Sequence, residues 1–258
     1  MMASVDSVWC PTPGAFRRDY LERERPAILA GAIDAWPARR WSLDALEARF
    51  GEHLVTPVKL REGHFHIDLV EGVCTEPMLL RDDLARIRAP GAPAWYLRLP
   101  LDGPFAALRS EIAEPPYCRG RIAMKTNLWV GARGTASDIH YDMTHNFVAQ
   151  IEGRRRVTLF APDDAPNLYP YPRRTLNWHH ARVRLEQADL HAYPRFADAR
   201  PIELELAAGE MLWVPRGWWH RFEALEPSIA VNFFWATPRH VPALAAARVL
   251  WTLGQVRT

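Results

Sequence analysis

Apolar and polar positions alternate at two different spacings along this chain. Apolar residues recur at helical spacing over residues 43–50, 79–87 and 105–112. Ser42 precedes the first of these segments and is a favourable residue for a helix N-terminus. The spacing therefore predicts a mainly helical region before residue 94.

After residue 94 the pattern becomes that of β-strands, with short alternating or continuously apolar runs separated by turn residues. These runs cover residues 94–99, 125–132, 146–153, 155–160, 201–206, 211–215 and 228–235. No helical segments alternate with them, so the pattern predicts an antiparallel sandwich or barrel. A last apolar pattern over residues 241–256 predicts a helix that packs on the barrel or on a second subunit.

Composition narrows the class of protein. The 258 residues are 48% hydrophobic, and 32 Lys+Arg against 30 Asp+Glu leave a net charge of +2. This composition excludes a disordered tail and gives little electrostatic support for nucleic-acid binding. The absence of a long apolar run and of a signal-type start predicts a cytoplasmic protein without a membrane segment. The three cysteines are far apart, which predicts small buried residues rather than disulfides or a zinc cluster.

A candidate metal site begins with His140-Tyr141-Asp142. Residues i and i+2 of a strand share a face, so the imidazole and the carboxylate can converge. His220, at the edge of the strand predicted over 211–215, is a candidate third ligand. Two histidines and one carboxylate leave coordination positions open, which suits non-haem Fe(II). Zinc could use the same ligands, although structural zinc normally has four, frequently thiolates.

His-x-Asp alone is weak evidence, because it often arises by chance. Polar residues on or beside the predicted strands strengthen it: Tyr96, Ser137, Asn146, Arg155 and Asn232. Polar side chains that point into a barrel cost free energy unless they are paired or meet a ligand. An arginine, a tyrosine and a serine together would suit a carboxylate. Alternation predicts that Arg155 points inward, whereas Arg154, Arg156 and Thr158 point outward.

Other polar residues near these segments receive different predictions. Asp138 is expected to face solvent, and His145 to face away from the metal because it lies an odd step from Asp142. His179 and His180 have no spacing that requires a metal, so they are expected to be loop residues, with contact to substrate as the secondary alternative.

Several blocks in the same order resemble one family: HYDMTHNFVAQIEGRRRVTLF, NLYPYP, GEMLWVPRGWWHRFEAL and VNFFW. They resemble the JmjC-type, cupin-like 2-oxoglutarate oxygenases, and most closely the factor-inhibiting-HIF-like hydroxylases. The resemblance implies a mostly β fold with α additions, a double-stranded β-helix of the cupin or jelly-roll type. It further implies one structural unit, with a mainly helical region at 1–93, the barrel at 94–236 and a C-terminal helix at 237–258.

The same resemblance implies a set of site residues. Fe(II) would be held by His140, Asp142 and His220. The cofactor-binding residues around the metal and 2-oxoglutarate would be Tyr96, Ser137, Asn146, Arg155 and Asn232. By this resemblance, Arg155 stands where close relatives have a lysine that pairs with the distal carboxylate of 2-oxoglutarate. A planar guanidinium with several N–H donors thus replaces a compact ammonium group.

The activity implied is that of an Fe(II)- and 2-oxoglutarate-dependent dioxygenase, which hydroxylates an amino-acid side chain in a protein or peptide with dioxygen. Demethylation of a methylated lysine is disfavoured, because the resemblance is to hydroxylases. Three alternatives stay open: a small-molecule hydroxylase of the same class, a non-oxidative metal-dependent cupin enzyme, and a catalytically silent peptide-binding module. A homodimer through the C-terminal helix is possible, and neither nucleic acid nor membrane is an expected partner.

Overall fold

The protein is represented by a computed structural model that describes residues 4–59, 64–65, 75–89, 95–118, 120–175, 177–242 and 245. The strands are β1 (Asp6–Trp9), β2 (Ala27–Ala30), β3 (Leu54–Val55), β4 (Val58–Lys59), β5 (His64–Phe65), β6 (Met78–Leu79), β7 (Trp95–Pro100), β8 (Ala123–Gly131), β9 (Ala136–Ser137), β10 (His140–Tyr141), β11 (His145–Glu152), β12 (Arg155–Phe160), β13 (Ile202–Leu206), β14 (Met211–Val214), β15 (Trp219–Ala224) and β16 (Ser228–Ala236).

The helices among these residues are short. The α-helices are α1 (Pro13–Phe16), α2 (Leu43–Phe50), α3 (Leu80–Arg88) and α4 (Ala165–Leu168). Turns of 3₁₀-helix cover Pro37–Arg40, Gly103–Glu111, Pro162–Asp164, Leu185–Gln187, Pro194–Asp198 and Pro238–His240, and a π-helical turn covers Arg17–Leu21.

Two sheets form the barrel. The major sheet has eight strands in the order β1-β2-β14-β11-β16-β8-β7-β4. The minor sheet has the order β13-β12-β15-β9-β5, and β10 also pairs with β15. Neighbouring strands are antiparallel, apart from the parallel pairs β1 with β2 and β5 with β9. This architecture confirms the predicted cupin-type barrel with α additions.

The major sheet is buried on both faces. On its outer face Leu97 and Phe147 belong to the same core as Phe16 and Leu46, which come from the N-terminal helices. On its inner face a smaller cluster joins the two sheets: Ile28, Val148, Leu212, Val214 and Ala230 with Val157, Leu159 and Leu206. Burial on both faces explains why these strands are apolar almost throughout instead of alternating with polar residues.

The N-terminal region differs from its prediction. The described residues before 94 contain three short α-helices, but β1 and β2 also extend the edge of the major sheet, where β2 pairs with β14. A strand of four residues carries too little periodicity to be recognised locally, and its partner lies far along the chain. Residues 105–112, expected to be α-helical, lie mostly in the 3₁₀ segment Gly103–Glu111.

Some predictions concern residues that the structure does not describe. The boundary at 94 stays a prediction, and so does the C-terminal helix with its dimer contact, because most residues beyond 242 lie outside the described ranges. Cys74 is also outside them, whereas Cys118 is buried as expected and Cys10 is exposed, contrary to expectation. Within the described ranges, no helix has both the length and the apolar character needed to cross a membrane.

The outward face of β12 is partly covered. Arg155 is buried and Arg156 is exposed, as the alternation predicts. Thr158 was predicted to point outward, and it is buried. The next residue with the same parity, Phe160, packs in a separate apolar cluster with Leu168, so the segment after β12 covers this face.

Candidate metal and cosubstrate site

The three predicted metal ligands meet where two short strands pair. β10 lies antiparallel to β15, and the register sets His140 opposite His220. Asp142 follows directly after β10, with its Oδ2 atom 3.5 Å from Nε2 of His220. One ligand atom from each of the three residues lies within 4.8 Å of the others. His220 is therefore part of a strand of its own, rather than at the edge of β14 as expected from sequence.

Backbone carbonyls orient both imidazoles. Nδ1 of His140 lies 2.8 Å from the carbonyl oxygen of Asp138, and Nδ1 of His220 lies 3.0 Å from that of Trp218. A carbonyl can only accept, so each Nδ1 carries the proton and each Nε2 keeps its lone pair. Burial, and secondarily the neighbouring His140, lowers the pKa of His220 to about 4. Its imidazole is thus neutral near pH 7, the form that binds a metal ion.

The Asp142 carboxylate is positioned by hydrogen bonds from the major sheet. Nδ2 of Asn146 donates a 3.2 Å hydrogen bond to Oδ2 of Asp142. Nδ2 of Asn232 in turn donates a 3.2 Å hydrogen bond to Oδ1 of Asn146. Both asparagines lie on the inner face of the major sheet. This sheet therefore helps to position Asp142, which follows directly after the short strand β10.

The three ligands border a cavity of about 270 Å³ between the sheets. Every residue predicted for the site lines this cavity: Tyr96, Ser137, His140, Asp142, Asn146, Arg155, His220 and Asn232. One cavity thus holds the candidate metal ligands and the candidate carboxylate-binding residues together.

Arg155 gives this cavity an unsatisfied cationic donor. Its guanidinium is buried and donates from Nε to Oγ of Ser228 at 3.2 Å, while Nη2 is buried without a hydrogen-bond partner among the described residues. The Tyr96 phenol interacts with Arg155, and burial raises the pKa of Tyr96, so the phenol remains protonated. The Ser137 hydroxyl accepts from the Phe222 amide at 3.1 Å and keeps its own proton to donate. These donors fit an anionic carboxylate.

Comparison with known proteins agrees with this geometry. The cupin-like domain family matches residues 13–240. The chain belongs to this family. Among its relatives, lysine-specific demethylase 8 of Xenopus tropicalis is 29% identical over 239 residues, which are 90% of this chain and 53% of that protein. Lysine-specific demethylase JMJ30 of Arabidopsis thaliana is 30% identical over 225 residues, 86% of this chain and 52% of that protein.

A third relative, Jumonji C domain-containing protein 5 of Drosophila melanogaster, is 30% identical over 240 residues, 87% of this chain and 58% of that protein. The chain thus spans little more than half the length of these relatives. Their names agree with the JmjC-type, cupin-like resemblance. The closer similarity to factor-inhibiting-HIF-like hydroxylases stays a prediction, because these names are those of demethylases and JmjC proteins.

Residues that were not predicted for the site also line this cavity. His179 and His180 both line it, although they were expected chiefly as loop residues and only secondarily as residues that touch substrate. The His180 ring stacks on His140 with centroids 5.2 Å apart and an interplanar angle of 18°. Asp138 lines the cavity too, instead of facing solvent.

The reason is a backbone pairing that no local pattern indicates. The segment between β12 and β13 returns to β10, where His180 forms a β-bridge with His140 and the Tyr141 amide donates to the His179 carbonyl at 3.0 Å. Burial, with His140 nearby, lowers the pKa of His179 to about 4. The cavity wall beside the metal ligands is therefore formed by neutral imidazole.

His145 lies on the opposite face of the major sheet, in agreement with its parity. Its ring packs between Trp213 and Trp235, with centroids 4.9 and 4.8 Å away, and contacts His240 at 4.7 Å. His145 is thus part of the outer aromatic core of the cupin-like domain and not of its cavity.

Proposed function

We propose that the chain is an Fe(II)- and 2-oxoglutarate-dependent dioxygenase that hydroxylates an amino-acid side chain in a protein or peptide. One observation carries this proposal. His140, Asp142 and His220 converge within 4.8 Å in a cavity that also holds the buried Arg155 guanidinium, whose Nη2 has no hydrogen-bond partner in the part of the chain that the structure describes. Ligands for a metal and donors for a carboxylate are the two parts that such an enzyme needs from its protein.

The residues of the cavity would have separate roles in binding the metal and 2-oxoglutarate. Nε2 of His140, Nε2 of His220 and the Asp142 carboxylate would hold Fe(II) on one side and leave its other positions open. Arg155, with Tyr96, would bind the distal carboxylate of 2-oxoglutarate and so orient its keto acid end toward the metal. When bound, iron and 2-oxoglutarate supply the oxidation: one oxygen atom of dioxygen enters succinate as carbon dioxide leaves, and the other enters a substrate C–H bond.

Lysine demethylation is a second candidate, supported by the names of two relatives at 29% and 30% identity. The two activities share one oxidation, because hydroxylation of an N-methyl group yields an unstable product that releases formaldehyde. They differ in which carbon of the substrate lies beside the metal. The product of the reaction therefore distinguishes them.

An anaerobic titration with Fe(II) and 2-oxoglutarate tests the proposal. The wild-type protein is expected to develop a weak visible charge-transfer band, and admission of oxygen should then yield succinate. His140→Ala should abolish both, while Thr175→Ala, outside the cavity, should change neither. Formaldehyde release from a methylated lysine peptide would favour demethylation over hydroxylation. Turnover that needs neither 2-oxoglutarate nor oxygen would favour a non-oxidative cupin enzyme, and folded protein without the band would contradict the proposal.

Arg155 provides a separate prediction. Arg155→Ala should raise the KM for 2-oxoglutarate by about 10-fold to 100-fold, because a charge-assisted hydrogen bond of about 1.5–3 kcal/mol is lost. Arg155→Lys should retain part of the affinity, since it keeps the charge but loses the planar fork. Fe(II) binding should stay unchanged in both variants. Arg156→Ala is the matched control, because this exposed neighbour pairs with Glu223. An unaltered KM in Arg155→Ala would exclude this carboxylate-binding role.

A further inference from the structure

A chain of side-chain hydrogen bonds crosses the inner face of the major sheet and ends on the candidate metal ligand Asp142. It begins with two donors on β8, because Nε1 of Trp129 and Nδ2 of Asn127 both donate to Oδ1 of Asn232, at 2.8 and 3.1 Å. Asn232 donates to Asn146 at 3.2 Å, and Asn146 donates to Oδ2 of Asp142 at 3.2 Å. Every bond in the chain therefore points toward the carboxylate.

Trp129 determines this direction. An asparagine amide can be reversed, with its oxygen and nitrogen exchanged, but an indole N–H can only donate. The bond from Trp129 therefore requires the oxygen of Asn232 to face β8 and its NH₂ group to face Asn146. Asn146 must then accept with its oxygen and present its own NH₂ group to Asp142. One donor-only group thus sets the orientation of two amides.

The opposite orientation would harm the metal site. If the Asn146 amide were reversed, its oxygen would face the Asp142 carboxylate, and two acceptors without a proton between them repel one another. Oδ2 would then turn away from Nε2 of His220, which lies 3.5 Å from it. The direction of the chain consequently affects whether the three ligand atoms stay together.

The second donor, Asn127, shows that this arrangement is maintained at a cost. Asn127 is completely buried, and its Oδ1 has no hydrogen-bond partner in the ranges that the structure describes. An unpaired buried acceptor is unfavourable and rare in folded proteins. The Asn127 Oδ1 is unpaired because the amide is oriented with its NH₂ group toward Asn232. The two β8 donors, Trp129 and Asn127, therefore bond to the same oxygen atom.

We propose that Trp129 and Asn127 are positioning residues that orient the amides of Asn232 and Asn146 and thereby hold Asp142 for metal binding. The inference rests on the proposed metal site. Within the hydrogen-bond chain, neither Trp129 nor Asn127 bonds directly to a candidate metal ligand. The Trp129 ring also stacks on Tyr96, with centroids 5.0 Å apart and an interplanar angle of 24°. Trp129→Phe therefore removes the N–H donor while an aromatic ring remains to pack on Tyr96.

A Co(II) titration of the folded full chain, followed by visible absorption, tests this inference without any measurement of turnover. Outer residues of metal sites typically change affinity by about 10-fold to 100-fold. Trp129 acts on Asp142 through two intervening amides, so Trp129→Phe should weaken Co(II) binding by about 3-fold to 10-fold and alter the cobalt absorption bands.

Trp213→Phe is the matched control. Trp213 is fully buried in the outer core, and none of the described residues forms a hydrogen bond with its Nε1. This variant should unfold at a lower temperature yet bind Co(II) as the wild type does. Equal Co(II) affinities and equal spectra for Trp129→Phe and Trp213→Phe would overturn the inference.

Asn232→Asp is a second test that does not depend on how well Trp129→Phe folds. The new carboxylate can accept from both β8 donors but cannot donate to Asn146, so the Asn146 amide should reverse. Co(II) affinity should fall further than in Trp129→Phe, and unchanged affinity would contradict the inference. If the wild type shows no Co(II) binding that His140→Ala removes, the proposed metal site itself is wrong, which is a distinct outcome.

Discussion

Asp83 is fully buried on α3, and neither oxygen of its carboxylate has a hydrogen-bond partner within the part of the chain that the structure describes. Burial raises its pKa to about 7, although Arg86 nearby acts in the opposite direction. In the unfolded chain the same carboxyl would titrate near its ordinary value of about 4. The folded protein therefore keeps this proton over a pH range in which the unfolded chain has released it.

The sign of the resulting pH dependence follows from proton uptake on folding. Between about pH 4 and pH 7 the folded state binds more protons at Asp83, so the free energy of unfolding falls as the pH rises. The loss is on the order of 4 kcal/mol and is complete above about pH 7. Asp83→Asn should remove this part of the dependence and make the protein more stable at alkaline pH.

Urea denaturation at about pH 5 and about pH 8 measures this effect as a difference between variants. Asp83→Asn should gain more stability relative to wild type at the higher pH. The neighbouring Asp82, whose side chain is 58% exposed, provides the control Asp82→Asn, which should leave the pH dependence as it is. Parallel curves for wild type and Asp83→Asn would show that this carboxyl is not the source.

At the scale of elements, α2 connects the N-terminal region to the barrel. Its N-terminus has two acceptors: the Ser42 hydroxyl accepts from the Ala45 amide at 3.1 Å, and Oε2 of Glu152, at the end of β11, accepts from the Leu43 amide at 3.1 Å. The helix then buries Leu46 against the outer face of the major sheet. The local N-cap was predictable from Ser42, whereas the contribution of Glu152 depends on the tertiary structure.

Ser42→Ala should lower the free energy of unfolding by about 1 kcal/mol, because one amide at the start of α2 loses its acceptor. Ser42→Asp should retain most of the stability, since a carboxylate caps equally well. Chemical denaturation measures both. Ser7→Ala, at an exposed position of β1, should stay within about 0.5 kcal/mol of wild type. A Ser42→Ala protein as stable as Ser7→Ala would mean that Glu152 and water suffice to cap the helix.

At the scale of the whole molecule, the site lies between the two sheets while most of the apolar core lies outside the barrel. The larger core packs the N-terminal helices on the outer face of the major sheet. The cluster that joins the two sheets is smaller, and the remaining interior holds the polar cavity. A metal ion bound by residues of β10 and β15 would therefore strengthen a part of the molecule with comparatively few apolar contacts.

Metal binding should consequently raise the melting temperature. An ion that binds the folded state alone, at about 100 times its Kd, adds about 2.7 kcal/mol. For a chain of this size that corresponds to an increase of about 5–10 °C. Thermal unfolding with Co(II) and with excess EDTA measures the difference. His140→Ala should show no such increase, and an equal increase in that variant would indicate that the metal binds elsewhere.

The strands were the most predictable part of the fold. The runs predicted over 155–160 and 228–235 match β12 and β16 to within one residue at each end. Continuous apolar segments bounded by turn residues are strong local signals, and the side-chain period of a strand is two. The same period indicated that Arg155 points inward and that His145 points away from Asp142. These properties depend on a few neighbouring residues, so the sequence contains them directly.

The sequence by itself determined which chemical groups are available: two histidines and an aspartate for a metal, and an arginine for a carboxylate. Only the tertiary structure decided which further residues join them. His180 reaches His140 across some 40 intervening residues, β2 pairs with β14, and Trp129 acts on Asp142 through two asparagines. Such contacts depend on the register between segments far apart in the chain, and local periodicity carries no information about that register.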